Sequence, residues 1–267
     1  MSNRNMAHHS DLKSEYDRQG YLLLRYLFTT HEVQTIKQHF DKMWEEGVPG
    51  YLESDSQGNK NWLNERYPRI VHPHRFDPLS KSMLLDGRIT DLIATLLDDE
   101  PLAAQTMYYW KPPGTQGQAL HQDNLYLQAD DADGCMAAWI AIDEANETNG
   151  CLSVVPGSHR CDLVCPEKIV DSRYYFSDYV APPQGFEVVP VIMHPGDALF
   201  FGGKTIHGSG PNDSDTESRR SFICHYIGAR STKSAGFYNP LLRVNGDEIF
   251  NHESDGGPCG VHVSAPH

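Results

Sequence analysis

The sequence predicts a mainly β fold, an antiparallel sandwich or barrel with N-terminal helices packed on one of its sheets. After Pro101, short runs rich in Val, Ile, Phe and Tyr follow one another along the chain. Clusters of Gly, Pro, Asn and Asp separate these runs, as turns separate strands. No crossover helix is indicated between them, and parallel strands would need one. The β-rich part of the chain is therefore expected to be antiparallel.

The first hundred residues predict a mixture of helices and strands. Val33, Ile36, Phe40 and Met43 recur at helical spacing behind a threonine cap. The elements predicted in this part are helices over 11–19, 30–44 and 80–97, a strand over 21–27 and a polar loop over 54–61. The strands predicted after it cover 102–110, 119–127, 136–142, 152–155, 186–193, 198–201 and 219–227. A polar insertion over 160–184 interrupts these strands and either covers a functional mouth or decorates the surface.

Length and composition favour one domain. The 267 residues, 39% of them hydrophobic, suffice for a sizeable core. We predict a helical part over about 1–100, a sandwich core over about 101–230 and a C-terminal extension over 231–267. The net charge of −14 argues against a general nucleic-acid or acidic-membrane binder. Neither a membrane span nor a secretion signal is visible, so we predict a cytoplasmic protein.

The six cysteines include no C-x-x-C pair. Their spacing predicts neither a zinc ribbon nor a disulfide scaffold. Cys161 and Cys165 are expected to be ordinary thiols.

A histidine and an aspartate two residues apart are the first candidates for a metal site. Such pairs occur at 9 and 11, at 39 and 41, and at His121 and Asp123. The first pair lies in a polar terminus, and the second lies on a predicted helix, where residues two apart point to different sides. The third follows a Pro-Pro-Gly turn in a predicted strand, which would point both side chains to one face. A surface hydrogen bond between the two residues is the alternative.

Two histidines and one carboxylate can hold a metal and leave three positions of an octahedron open. The best candidate for the missing ligand is His207, at a strand end flanked by glycines that allow close approach. Its long separation from His121 along the chain fits donors that meet from opposite sheets. A local hydrogen bond is the alternative role of His207.

Arg219 and Arg220 open the last predicted strand. A buried arginine is costly unless it meets an anion, and its planar guanidinium suits a carboxylate. One of the two could therefore hold a dicarboxylate cosubstrate. Alternatively, both face solvent or pair with Asp213, Asp215 or Glu217.

Together, the His-x-Asp pair, the distal histidine before Gly-Ser-x-Pro-Asn and the arginine that opens the next strand resemble the phytanoyl-CoA dioxygenase family of iron(II)/2-oxoglutarate oxygenases. Met107-Tyr-Tyr-Trp-Lys-Pro-Pro113, 138–143 and 149–159 resemble further family segments, so the likeness covers about 104–227. It implies a double-stranded β-helix, or jelly roll, for the sandwich.

The resemblance also implies residue roles. His121, Asp123 and His207 would be the iron ligands, and Arg219 would bind the distal carboxylate of 2-oxoglutarate. The positions expected to line or contact that cosubstrate are Met107, Gln122, Trp139 and Ser209. The gap from the distal histidine to the arginine is one residue longer than the family pattern, so Arg220 is an alternative to Arg219.

Other polar residues allow two readings. His159 follows a tight turn and is expected to be structural, whereas His225 shares a strand face with Arg219 and is either a core histidine or part of the pocket wall. His72 and His74 predict a loop near the pocket mouth, with or without a substrate role. The residues that either line a substrate pocket or pack within strands are Tyr108, Tyr109, Lys111 and Tyr126.

By this resemblance the protein is an enzyme that uses Fe2+, 2-oxoglutarate and O2 to hydroxylate a C–H bond of a small molecule, with release of succinate and CO2. Halogenating relatives replace the ligand carboxylate by a small residue, so Asp123 favours hydroxylation. Two alternatives are a cupin-type metal enzyme that does not use 2-oxoglutarate and a non-catalytic small-molecule-binding sandwich. The family name does not by itself imply a CoA thioester.

Overall fold

The computed structural model describes residues 3–48, 52–54, 60–62, 68–257 and 259–260. Its α-helices are α1 Asn3–Gln19, α2 Thr30–Glu46, α3 Pro78–Leu84, α4 Gly87–Leu97 and α5 Asn124–Leu127. Its first nine strands are β1 Tyr21–Leu24, β2 Leu52–Ser54, β3 Lys60–Trp62, β4 Arg69–Val71, β5 Pro101–Lys111, β6 Gln118–His121, β7 Cys135–Ala141, β8 Leu152–Val154 and β9 Glu167–Lys168. The remaining strands are β10 Asp178–Tyr179, β11 Val189–Val191, β12 Ala198–Gly202, β13 His207–Ser209, β14 Arg219–Gly228, β15 Lys233–Ser234, β16 Leu241–Leu242, β17 Glu248–Ile249 and β18 His252–Glu253.

Two antiparallel sheets form the sandwich that the sequence predicts. The larger has the order β1-β12-β7-β14-β5-β16-β17, with β4 also paired to β5, and the smaller has the order β11-β8-β13-β6. Side chains from the inner faces of both sheets, among them Met107, Trp139 and Val154, share one buried apolar cluster. The space between the sheets is therefore a true interior, and the site described below lies in it.

Helices cover the other face of the larger sheet, as expected. Helix α2 begins with a capping box, in which Thr29 and Glu32 each bond the other's backbone N–H. Its buried Phe40 stacks on Tyr108 of β5 at a centroid distance of 3.8 Å. Helix α4 buries Ile93 and its apolar neighbours in the same cluster. Among the described residues, no helix has the length and hydropathy that crossing a bilayer requires.

Several predicted element bounds were wrong. Helix α1 begins at Asn3 rather than at residue 11. The helix predicted over 80–97 is two helices, because the Asp86 side chain accepts a bond from the backbone N–H of Arg88 and starts α4 afresh. The strand predicted over 186–193 is reduced to β11. Residues 55–59 of the predicted polar loop lie outside the described residues.

A disulfide joins Cys165, in the 160–184 insertion, to Cys259 in the C-terminal extension, with their Cα atoms 5.5 Å apart. The expectation of an ordinary thiol was therefore wrong for Cys165, whereas Cys161 is a free cysteine. The separation of 94 residues hid the pairing in the sequence. In the chain-entropy account, closing a loop of this size stabilises a fold by about 4.7 kcal/mol. Disulfides persist mainly in oxidising compartments, so the cytoplasmic location stays a prediction.

Two histidines are buried in the turn that follows β4. His74 Nδ1 lies 2.8 Å from Thr106 Oγ1, and His72 Nε2 lies 3.3 Å from Gln105 Nε2. Burial, aided by the charge of Arg75, lowers the pKa of His72 to about 2 and that of His74 to about 4. Both rings are therefore neutral at pH 7.

Thiol titration tests the disulfide. In denaturant without reductant, the protein should show four reactive thiols, since two of its six cysteines are paired. Reduction should raise the count to six. A Cys165→Ser variant should instead show five thiols before and after reduction, because Cys259 is then unpaired. Six thiols in the unreduced wild-type chain would contradict the pairing.

The buried histidines predict acid sensitivity. Their folded-state pKa values lie below the unfolded value of about 6.5, so their stabilising contribution is complete above that pH and is lost as pH falls below it. A His74→Asn variant should reduce the slope of unfolding free energy against pH by up to about 1.4 kcal/mol per unit between about pH 6 and 4. Urea unfolding across this range measures the slope, with exposed His31→Gln as the control. Parallel curves for wild type and His74→Asn would refute the prediction.

Candidate metal centre

A cavity lies between the two sheets. Alternate residues of the paired strands β5 and β14 form one wall, because successive side chains of a strand point to opposite faces. These residues are Gln105, Met107, Tyr109, Arg219, Ile223 and His225. The smaller sheet supplies the opposite wall, which includes His121, His207 and Ser209.

His121 and His207 face each other across the ladder of β6 and β13, with ring centroids 4.3 Å apart. They are neighbours within the smaller sheet, so the expectation that they meet from opposite sheets was wrong. Gly208 allows this pairing, since a Cβ there would come within 2.8 Å of the Gln118 carbonyl oxygen on β6. The prediction that glycine beside His207 permits close backbone approach is confirmed.

Asp123 reaches the same point by a different route from the predicted one. The strand predicted over 119–127 ends at His121, and Asp123 has helical dihedrals (φ −62°, ψ −33°) at the start of α5. Its Oδ1 lies 3.3 Å from His121 Nε2 and 3.5 Å from His207 Nε2. The potential ligand atoms of the three residues all lie within 4.8 Å of one another. His121 and Asp123 are therefore brought together by a helical turn that follows the strand, and not by the alternation of side chains along one strand.

Backbone carbonyls orient both histidine rings. His121 Nδ1 lies 2.8 Å from the Ala119 oxygen, and His207 Nδ1 lies 3.0 Å from the Thr205 oxygen. Each Nδ1 donates its hydrogen to that oxygen, which leaves Nε2 unprotonated and directed to the Asp123 carboxylate. This is the arrangement that metal-binding histidines require.

The charge states suit a cation. Burial lowers the pKa of His207 to about 4, so its ring is neutral at pH 7. Burial acts to raise the pKa of Asp123, but the neighbouring histidines, His207 first and then His121 and His225, hold it well below its usual value. Two imidazoles and one carboxylate form a donor set that suits Fe2+ and other divalent transition metals.

Arg219 lies at the other end of the cavity and is 1% exposed. Its guanidinium lies 5.1 Å from the centre of the Trp139 ring, and its Nη1 donates to Ser221 Oγ at 3.2 Å. Close by, the buried Lys111 donates from Nζ to Ser209 Oγ at 3.2 Å and to the Gly210 carbonyl oxygen. Burial and the charge of Arg219 lower the pKa of Lys111 well below its usual value.

Arg220 points away from the cavity. Its Nε donates to Asp41 Oδ1 at 2.9 Å, and its Nη1 donates to Asp143 Oδ2 at 2.8 Å. The alternative in which both arginines face solvent or pair with nearby acids is wrong for Arg219, which is buried in the cavity wall. Of the two, only Arg219 can reach a cavity ligand.

Three of the four residues expected around a cosubstrate line the cavity, namely Met107, Trp139 and Ser209. Gln122 does not. Its amide donates to the carbonyl oxygens of Lys204 and Asp162 and accepts a bond from the Val164 N–H, so it fastens the start of the insertion to the sandwich. The strand ends before Gln122, and its side chain is turned out of the cavity.

Of the other residues discussed from the sequence, some line the cavity and others lie outside it. His159 lies away from the cavity, near the Asp17 carbonyl oxygen, and Tyr108 packs under α2. His225 and Tyr126 line the cavity. Tyr238, from the C-terminal extension, also lines it, and no pattern in the sequence marks it.

Part of the insertion borders the same interior. Its backbone bonds to β6 and the preceding residue, with the Val180 N–H donating to the Leu120 oxygen at 2.7 Å and the Tyr175 N–H to the Gly117 oxygen at 3.0 Å. The Tyr175 ring packs against the apolar cluster that contains Met107. The insertion is thus attached along the strand that carries His121.

Comparison with known proteins agrees with this architecture. Rice (Oryza sativa subsp. japonica) phytanoyl-CoA dioxygenase 1 is 29% identical over 208 residues, which are 75% of this chain and 73% of that protein. The epimerase SnoN, solved in complex with Fe3+, α-ketoglutarate and nogalamycin RO, superposes with a TM-score of 0.68 at 18% identity, covering 95% of this chain and 98% of that one. The carbocyclase SnoK superposes with a TM-score of 0.67 at 20% identity, covering 91% and 93%. These likenesses confirm the jelly-roll fold.

A family model described as phytanoyl-CoA dioxygenase matches residues 16–221, which include the three potential metal ligands and Arg219. The chain therefore belongs to the phytanoyl-CoA dioxygenase family of iron- and 2-oxoglutarate-dependent oxygenases.

Proposed function

We propose that this protein hydroxylates a C–H bond of a small molecule in an Fe2+-, 2-oxoglutarate- and O2-dependent reaction that releases succinate and CO2. The observation that carries the proposal is that one cavity is lined by two functional groups. His121, Asp123 and His207 form the first, and the buried Arg219 is the second. The first group suits a metal, and the second suits the far carboxylate of a dicarboxylate that reaches the metal.

In this proposal, His121, Asp123 and His207 hold Fe2+, whose chemistry when bound is oxygen activation coupled to the decarboxylation of 2-oxoglutarate. The two histidines enter as neutral Nε2 donors because the Ala119 and Thr205 carbonyls fix their rings. Asp123 offers Oδ1 to the same point. The protein supplies the position of these three donors and the negative charge of Asp123.

Arg219 anchors the cosubstrate. Its guanidinium is buried and lies over Trp139, so a carboxylate bound there is shielded from water and the pair is stronger than on a surface. Ser209 Oγ and Lys111 lie beside this end of the cavity. Of the two, Ser209 lines the cavity, so its hydroxyl can bond a carboxylate there.

Asp123 favours hydroxylation over halogenation, because the carboxylate occupies the place where a halide would need to bind. The wall around Gln105, Tyr126, His225 and Tyr238 is left for the substrate. Arg219 is the only lysine or arginine among the described residues that line this cavity. The substrate end therefore suits a neutral, partly polar molecule better than a polyanion.

Metal and cosubstrate binding test the centre. Anaerobic addition of Fe2+ and then 2-oxoglutarate should give the weak visible charge-transfer band of the chelate. A His121→Ala or His207→Ala variant should lose the band and iron-dependent succinate release, because only two protein ligands remain. Exposed His194→Ala serves as the control. Coupled turnover that survives in His121→Ala would overturn the assignment, and iron binding without the band would favour a cupin-type enzyme.

The two arginines provide a matched pair. Arg219→Met should raise the dissociation constant for 2-oxoglutarate by about 10–100-fold, since a buried charge-assisted pair contributes roughly 1.5–3 kcal/mol. Arg220→Met should leave that constant unchanged and lower only stability, by removing the pairs with Asp41 and Asp143. Titration of the iron-loaded protein measures both, and Arg219→Lys keeps a cation if Arg219→Met fails to fold. Equal effects of the two Met variants would refute the role of Arg219.

Product analysis tests the reaction type. In a screen of small molecules that reads out succinate, a true substrate should yield a product 16 mass units heavier, because one oxygen atom is inserted. Labelled dioxygen should supply that atom. A product of unchanged mass or one lighter by two hydrogens would show that the centre supports an epimerase- or cyclase-type outcome instead.

A further inference from the structure

His225 contacts the metal centre without belonging to the ligand group. It lies on β14 on the same face as Arg219, lines the cavity and is 5% exposed. Its Nε2 lies 3.2 Å from Asp123 Oδ2, whereas Asp123 Oδ1 faces His121 and His207. The two oxygens of one carboxylate therefore have different partners.

This contact fixes where the hydrogen of His225 lies. An ionised carboxylate only accepts hydrogen bonds, so Nε2 must donate. In the neutral ring, Nδ1 is then an acceptor, and it is buried without a hydrogen-bond partner within the part of the chain that the structure describes. The ring is held by one bond, and that bond is to Asp123.

We propose that His225 is a positioning residue that restricts Asp123 to binding the metal through one oxygen. The proposal rests on the function proposed above. On a six-coordinate metal, two histidines and one carboxylate oxygen would use three positions and leave three for 2-oxoglutarate and dioxygen. A second oxygen from Asp123 would take one of these. The hydrogen bond from His225 would hold Oδ2 away from the metal and so keep that position available.

Three substitutions at this position separate the bond from the bulk of the ring. In His225→Gln, the amide nitrogen extends as far as Nε2 and can still donate to Oδ2. In His225→Asn, the amide extends only as far as Nδ1, so the bond is lost although the residue stays polar. His225→Leu removes every polar atom.

Anaerobic titration of the Fe2+-loaded proteins with 2-oxoglutarate is the main test. We expect the dissociation constant for 2-oxoglutarate to rise about tenfold or more in His225→Leu and His225→Asn and to stay within about threefold of wild type in His225→Gln, in the range found for residues that orient metal ligands. Thermal unfolding of the metal-free proteins controls for loss of fold.

The outcomes are distinct. If wild type shows no iron-dependent binding of 2-oxoglutarate, the proposed function fails and the role of His225 fails with it. If wild type binds but all three variants match it, or if His225→Gln is as weak as His225→Leu, only the positioning role is overturned.

The position of the hydrogen on the His225 ring can be measured separately. Nitrogen NMR of histidine-labelled protein loaded with Zn2+ should show His225 protonated at Nε2 and unprotonated at Nδ1. A hydrogen on Nδ1 with Nε2 bare would overturn the proposal, because the ring could not then donate to Asp123.

Discussion

The backbone pairing of β6 with β13 sets the positions of the two histidines on which the candidate metal centre depends. It places His121 directly opposite His207, so two ligand groups inherit the spacing of a β ladder rather than that of flexible loops. The ladder bonds also continue from β13 to β8, which anchors the pair inside a four-stranded sheet. Asp123 needs only one helical turn after β6 to join them. A ligand set built on paired strands has little freedom left to lose when a cation binds, which favours tight binding.

The electrostatic design follows from burial. The centre holds one buried carboxylate, Asp123, which offers a negative charge to an incoming cation. At the far end, the buried Arg219 forms a positive region. A dianion that bridges a metal and this region would meet a complementary charge at each of its ends. The low dielectric of the interior strengthens both contacts.

Most residues of the candidate site could be predicted from the sequence. The residue types and their order along the chain predicted His121, Asp123, His207 and Arg219 as site residues, and the structure brings all four into one cavity. Alternation also required Arg219 and Arg220 to face opposite sides, but only the structure decided which of them faces inward. That choice depends on acids from α2 and from the end of β7, far away in sequence.

Two kinds of feature could not be predicted from the sequence: the points at which a strand gives way to a helix, and contacts between residues far apart along the chain. Gln122 was misplaced because nothing in 119–127 marks the end of β6 before α5. Tyr238 reaches the cavity only through the path of the C-terminal extension, and Cys165 meets Cys259 for the same reason. The helix division at Asp86 depends on a local cap, which a periodicity argument overlooks when the apolar pattern continues across it.

One strand, β14, carries Arg219 near its start and His225 six residues later. At the usual rise per residue, these two points are separated by about 20 Å along the strand. Strand β14 is hydrogen-bonded on both sides, by β5 and β7. The distance between these two positions is therefore fixed. A dicarboxylate that joins Arg219 to the metal group beside His225 must therefore match a distance that the sheet fixes, and an analogue longer or shorter by one methylene would lose one of its two contacts.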